Sequence, residues 1–413
     1  MRGVRVVSGV MLGVLPLLAG VDATRAETLL RSGLVALQQN RLAGARQDLE
    51  AASRADAGNP VVWASLAQAY WRLHQQPEAL RAAQTAEKLG RGDGTVAHLL
   101  AIFYGEAADL KRAAFFERAY AVSRNADVGA AGRAAVLSLD AGEPELGLSF
   151  ARQAAARNES PANLNLLGRI QIAAGQPDDG VANLAAAWTA DRQNERFCFD
   201  YAQALLHRDD FEGAASALEH GLKVHPRSAQ LQLALGVARY GQRRFDDAID
   251  SFLKTIRLDS SVEQPYLFLG RMLDQAGPRL AEVTDQYRAW NRRQPGDYRG
   301  SLFLAKALSA EAADSAVIEK YLRRAISLNP DSWEAHFELG VLLSKQRDFA
   351  KAAAELARSV ALNPREPAPH YHLARMYDRL GQADRAAAER ELHEQLSSAR
   401  NGAPPPLPGG SSK

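Results

Sequence analysis

What this sequence lacks narrows it first. Among 413 residues there is one cysteine, Cys198, so no disulfide framework, multi-cysteine zinc site or cysteine-ligated iron–sulfur cluster can be built. Neither sign of charge dominates: 50 Lys and Arg stand against 48 Asp and Glu, without the basic excess of a dedicated nucleic-acid binder. Strand-like alternation is nowhere sustained. No G-x-S-x-G elbow, G-x4-G-K-[S/T] phosphate loop or G-x-G-x-x-G fingerprint occurs, and His393-Glu394 lacks the second histidine of a zinc-protease motif. Aromatics are only 7%, but 46% of the chain is hydrophobic, ample for a core.

Long apolar runs are missing too, with one exception. After Arg2 and Arg5, residues Val6 to about Gly20 are apolar except at Ser8 and are followed by small residues. Residues 1–26 are expected to be a secretory signal peptide cut after Ala23 or Ala26, the run being shorter than the ~20 residues a membrane span needs. No stable span remains once it is removed, and the expected address is the periplasm or the exterior. At the other end, residues 401–413 hold Pro404, Pro405, Pro406, Pro408, Gly409, Gly410, Ser411 and Ser412, the composition of a disordered spacer.

Between these ends one pattern recurs. A glycine or alanine falls at Gly33, Ala67, Ala101, Ala135, Gly168, Ala202, Gly236, Gly270, Ala305, Gly340 and Ala374, at intervals of 33 to 35 residues. Each is preceded and followed by apolar residues at i, i+3, i+4 and i+7 spacing, so each repeat holds two amphipathic helices. A small residue removes bulk where the two cross. Twelve residues on, a second small position falls at Ala45, Ala79, Ala113, Gly147, Gly180, Ala214, Ala248, Ala352 and Ala386. Glu282 and Val317 break it, in the two 35-residue intervals, and a one-residue shift to Ala281 and Ala316 is expected to restore it. Asn59-Pro60, His225-Pro226, Gln294-Pro295, Asn329-Pro330 and Asn363-Pro364 punctuate the repeats. No repeat can bury its own apolar face, so stability must come from stacking.

Trp63, Leu66, Ala67 and Tyr70 with Ala79 and Ala86, and Leu339, Gly340 and Leu343 with Phe349, Ala352 and Pro364, follow a W-x2-L-G-x2-Y … A-x3-F … P pattern. The chain thus resembles the tetratricopeptide repeat family. The resemblance implies an all-α superhelical solenoid of about eleven helix-turn-helix repeats over residues 27–400, with the first helices lining a concave groove that holds partner segments. It implies no catalysis, no cofactor and no metal, with one or more proteins as partners and no nucleic acid.

In that frame the groove-facing positions include Arg169, Arg196, Arg271, Arg299, Lys306 and Arg375, with Phe337 and Tyr371. Guanidinium groups there would recognise an acidic segment through charge-assisted hydrogen bonds; the competing reading is a solvated face of ordinary ion pairs. The family's Lys and Asn clamp pattern for chaperone tails is absent. Leu37, Trp71, Ile102 and Leu139 stand at the same positions nearer the N-terminus, and Trp71 is either a partner anchor or packed between repeats. His336 and His370 share a frame position with Trp63 and Cys198, which reads as packing rather than ligation. The expected function is a non-catalytic interaction scaffold of the bacterial cell envelope. A periplasmic carbohydrate- or small-ligand-binding protein is the alternative, and an enzyme with an unrecognised site a third reading.

Overall fold

Helix formation follows the repeat frame throughout the computed structural model, which describes residues 25–125 and 127–400. The expected signal peptide, except Arg25 and Ala26, and the expected tail at 401–413 lie outside the described residues. Twenty-two α-helices form eleven pairs, each with a first (A) and a second (B) helix, and among the described residues there is no strand. The chain divides after Ala204 into two compact halves.

In the N-terminal half the pairs are α1 (Arg25–Gln38) with α2 (Leu42–Ala55), α3 (Pro60–Arg72) with α4 (Gln76–Leu89), and α5 (Gly94–Glu106) with α6 (Leu110–Ser123). They continue with α7 (Val128–Asp140) and α8 (Pro144–Arg157), then α9 (Pro161–Ala173) and α10 (Pro177–Ala190). The division falls within α11 (Glu195–Leu206). The C-terminal half continues with α12 (Phe211–Val224), then α13 (Ala229–Gly241) with α14 (Phe245–Leu258), and α15 (Gln264–Arg271) with α16 (Leu280–Arg293). It ends with α17 (Tyr298–Ala310) and α18 (Ser315–Leu328), α19 (Trp333–Lys345) and α20 (Phe349–Leu362), and α21 (Pro367–Arg379) and α22 (Ala383–Arg400). Within each half A helices pack on their own B helices, as α9 does on α10 and α19 on α20. Neighbouring A helices also touch, as in α3 with α5 and α19 with α21.

The small positions are where A and B helices cross. A Cβ on Gly33, Gly168, Gly236 or Gly340 would come within 2.6–2.8 Å of Leu49, Leu184, Phe252 or Leu356, in each case sixteen residues along. Where the first position is Ala67 or Ala135, its counterpart sixteen residues on is Ala83 or Ala151, and all four are fully buried. Volume is thus traded across the crossing.

The A–B turn is built from backbone. Ten turns carry paired bonds such as Arg41 N–H to Ala36 O (2.8 Å) with Asn40 N–H to Leu37 O (3.1 Å), the Schellman closure of a helix. It places one residue per turn in the left-handed region, whatever its type: Asn40, His74, Ala108, Gly142, Gly175, Asp209, Arg243, Ala312, Arg347 and Gly381. The repeat of α15 and α16 departs: α15 ends after two turns, and two 3₁₀ turns, Leu273–Gln275 and Gly277–Arg279, lead to α16. Bulky Tyr266, Tyr287 and Trp290 fill its core.

The expected shift to Ala281 and Ala316 runs the other way. Both are exposed, and Val283 and Ile318, thirteen residues after Gly270 and Ala305, are buried instead. The extra residue of each 35-residue interval sits in the A–B turn, as at Ala313 between Ala312 and the capping Asp314, so the B helix keeps its face but moves on by one.

Candidate functional site

The A helices carry the cations singled out above, and their ion pairs sort them. On α11, Arg196 Nε donates to both oxygens of buried Asp200 (2.9 and 2.8 Å), and Arg169 Nε on α9 lies 3.8 Å from the same carboxylate. Burial, then the neighbouring Arg196 charge, pulls the Arg169 pKa below its ordinary value. Arg299 is held by Glu263 and Asp297, each at 2.8 Å, with its guanidinium over the Trp290 ring at 5.6 Å; these hydrogen bonds raise its pKa. For these the ordinary ion-pair reading holds. Arg271, at the exposed end of the short α15, makes no hydrogen bond or ion pair among the described residues.

Trp71 is part of the N-terminal core. Its ring meets Phe103 edge-on at 6.0 Å, and its indole N–H donates to Glu106 O at 3.2 Å, so it stitches α3 to α5. Adjacent Arg72 pairs with the Glu106 carboxylate. Leu37 is fully buried and offers a partner nothing.

Three A helices of the C-terminal half do assemble a patch. Lys306 Nζ of α17 lies 3.7 Å from Glu338 of α19, and 5.8 Å from the Phe303 ring centroid. Burial raises the Glu338 pKa, opposed by the Lys306 and Lys345 charges. The cavity between them is about 40 Å³, room for about one water. On α21, His372 packs edge-on against Phe337 (5.3 Å) and Tyr371 (5.4 Å). Burial, then the charges of Arg375 and Lys345, lowers its pKa, so the ring is neutral near pH 7. Tyr371 is 44% exposed, and the Arg375 guanidinium stacks over it at 5.6 Å. Neither Arg375 nor Lys345 forms an ion pair within 4.0 Å among the described residues, although the Lys345 charge acts on Glu338. Lys345 was not among the residues picked from sequence, because its position comes into reach of His372 only when α19 and α21 lie side by side.

The shared frame position of Trp63, His336 and His370 has a structural role. In each, a ring N–H meets the carbonyl six residues upstream: Trp63 to Ala57 O (2.8 Å), His336 to Pro330 O (3.0 Å) and His370 to Pro364 O (3.1 Å). Tyr266 reaches Ser260 O in the same way (3.4 Å). The other ring nitrogens of His336 and His370 meet Glu355 and Glu389 at 2.6 Å. Cys198, at the same position, is buried. Among the described residues no group of three His, Cys, Asp or Glu could hold a metal ion, and no helix is long and apolar enough to cross a membrane.

The succession of helix pairs is joined by a sequence finding: a family model described as Tetratricopeptide repeat matches residues 199–263, 311–367 and 341–395. The matched segments are tetratricopeptide repeats. The comparison with curated proteins gave no match. Among solved structures, the C-terminal part of a TPR repeat-containing protein from Cytophaga hutchinsonii is similar at 17% identity and a TM-score of 0.43, over 66% of this chain and 98% of that one. A thermophilic TPR protein of Thermus thermophilus is 22% identical with a TM-score of 0.35, over 42% of this chain and 98% of that one. Yeast Tom70 is 15% identical with a TM-score of 0.39, over 90% and 92% of the two chains. A tetratricopeptide array is in general a non-catalytic scaffold for protein partners.

Proposed function

We propose that this array is an exported scaffold of the bacterial cell envelope that binds an acidic partner segment carrying an apolar side chain on the A-helix face of α17, α19 and α21. The observation that carries the binding reading is Arg375, which makes no ion pair among the described residues and stacks on the exposed Tyr371 ring, next to His372 and Phe337. A guanidinium already stacked on an aromatic loses little freedom on meeting a carboxylate, and the ring gives an apolar side chain a surface. The envelope assignment rests on the apolar run after Arg2 and Arg5. On this face a carbohydrate would need a closed polar pocket, and the cavity beside Lys306 has room for about one water.

The test is fluorescence anisotropy with a labelled acidic peptide containing phenylalanine. Arg375→Glu and Tyr371→Ala are each expected to weaken binding about ten-fold or more, while Arg196→Ala and Arg299→Ala leave it nearly unchanged. Equal losses from all four, or none, would sink the reading. N-terminal sequencing of the chain recovered from a fractionated bacterial host tests the address: Thr24 or Glu27 as first residue in the exported fraction supports it, and an intact Met1 in the cytoplasm does not.

A further inference from the structure

A second concavity lies on a different part of the molecule. In the N-terminal half, α4 and α6 flank α5 and leave a slot of about 640 Å³, within the range of small-molecule sites. Its floor is Ala97 and Leu100 of α5, so it reaches from the B-helix side down to the A layer. One wall is Phe115 and Phe116 of α6. Phe116 is fixed by stacking on Tyr104 at 5.7 Å, whereas Phe115, packed edge-on against it, is 59% exposed. The opposite wall is the end of α4 and the turn Gly90-Arg91-Gly92-Asp93-Gly94, where backbone rather than side chain borders the slot.

The charges at its mouth are lopsided. Both lining carboxylates are committed: Glu87 accepts the Tyr104 hydroxyl, and Asp93 caps α5 through the N–H groups of Thr95 (2.7 Å) and Val96 (3.2 Å). The lining cations, Lys88 and Arg91, are exposed and have no ion pair among the described residues. A half-open slot with an apolar floor, an aromatic wall and two positive charges without ion pairs at its rim suits an apolar chain with an anionic head. We propose that this slot binds a single-chain anionic amphiphile, with its chain along Phe115 towards Leu100 and its carboxylate at Arg91 and Lys88. The site is independent of the A-helix face.

Calorimetric titration of the full chain with laurate, below its micellar concentration, tests this, with dodecanol and dodecyltrimethylammonium as uncharged and cationic counterparts. Laurate is expected to bind with one site, dodecanol about ten-fold more weakly, and the cation not at all. Phe115→Ala and the double variant Lys88→Gln/Arg91→Gln change exposed residues and should each cost at least about five-fold; Ala119→Trp, which fills the slot, should abolish binding. The proposal is overturned if wild type fails to bind laurate, if all three variants bind like wild type, or if the cation competes. Sedimentation with phosphatidylglycerol vesicles separates the source. Vesicle binding that laurate displaces extends the site to membrane lipid, and vesicle binding without any affinity for free laurate overturns it.

Discussion

Ala312 sits at φ 55°, a conformation that costs an L-residue roughly 1–2 kcal/mol. Nothing in its side chain demands it; the A–B turn does, and the same place is filled by asparagine, histidine, arginine, aspartate or glycine in other repeats. That is why the position escaped a reading by residue type, although its spacing matches the repeat. Ala312→Gly is expected to raise stability by about 0.5–1 kcal/mol, after the glycine's greater unfolded-state entropy is allowed for, as denaturant melts would show. His372 offers a second single-residue test. Its pKa is lowered in the fold, so its contribution to stability is complete above about pH 6.5, where the unfolded ring is neutral, and is lost as pH falls towards the lowered folded value. A bound carboxylate would favour the protonated ring, so affinity for the acidic peptide should rise as pH falls below about 6.5. His372→Phe should flatten that rise relative to wild type; an unchanged slope would remove the ring from the site. His336 and His370, by contrast, each meet a carboxylate with one ring nitrogen and a carbonyl with the other, which fixes the ring plane.

At the level of helices, the small-residue rhythm reported the crossings correctly, because contact between two backbones leaves no room for alternatives. What it could not report was compensation. The glycine at Gly340 exists for the sake of Leu356, whose Cγ would lie 2.6 Å from an added Cβ. Gly340→Ala alone should destabilise by about 1–3 kcal/mol through overpacking. Combined with Leu356→Ala, the double variant should cost clearly less than the sum of the two singles, and simple additivity in a double-mutant cycle would refute the coupling. The same limit explains the candidate site. Arg169, Arg196, Arg299 and Lys306 were legible as A-helix cations, but their partners Asp200, Glu263 and Glu338 come from other turns or neighbouring helices, and sequence spacing does not show which charges are already spoken for.

Across the whole molecule the interior is uneven. The C-terminal half has one continuous core that runs from Ala248 to Met376 and includes Phe252, Tyr266, Tyr287, Trp290 and Phe303. Around α7 and α8 the clusters are smaller and rich in alanine: Ala121, Ala130 and Ala134 in one, Ala131 and Ala154 in another, and Ala135, Ala151 and Ala155 with Leu148, Leu166, Leu167 and Ile170 in a third. Alanine buries little area, so this stretch gains least from stacking. Hydrogen exchange should therefore find amides of 128–157 opening before those of 298–362, and the reverse order would contradict the inference. Uniform repeat spacing hid this difference, since period records where helices lie and not how much they bury. One last property follows from the extra residue at Ala313. Placed inside a helix, it would rotate every later side chain by about 100° and turn buried faces to solvent. Placed in the turn it leaves later repeats in phase, so the stretch between Glu311 and Asp314 is where foreign sequence, such as an epitope tag, can be grafted without rewriting the protein that follows.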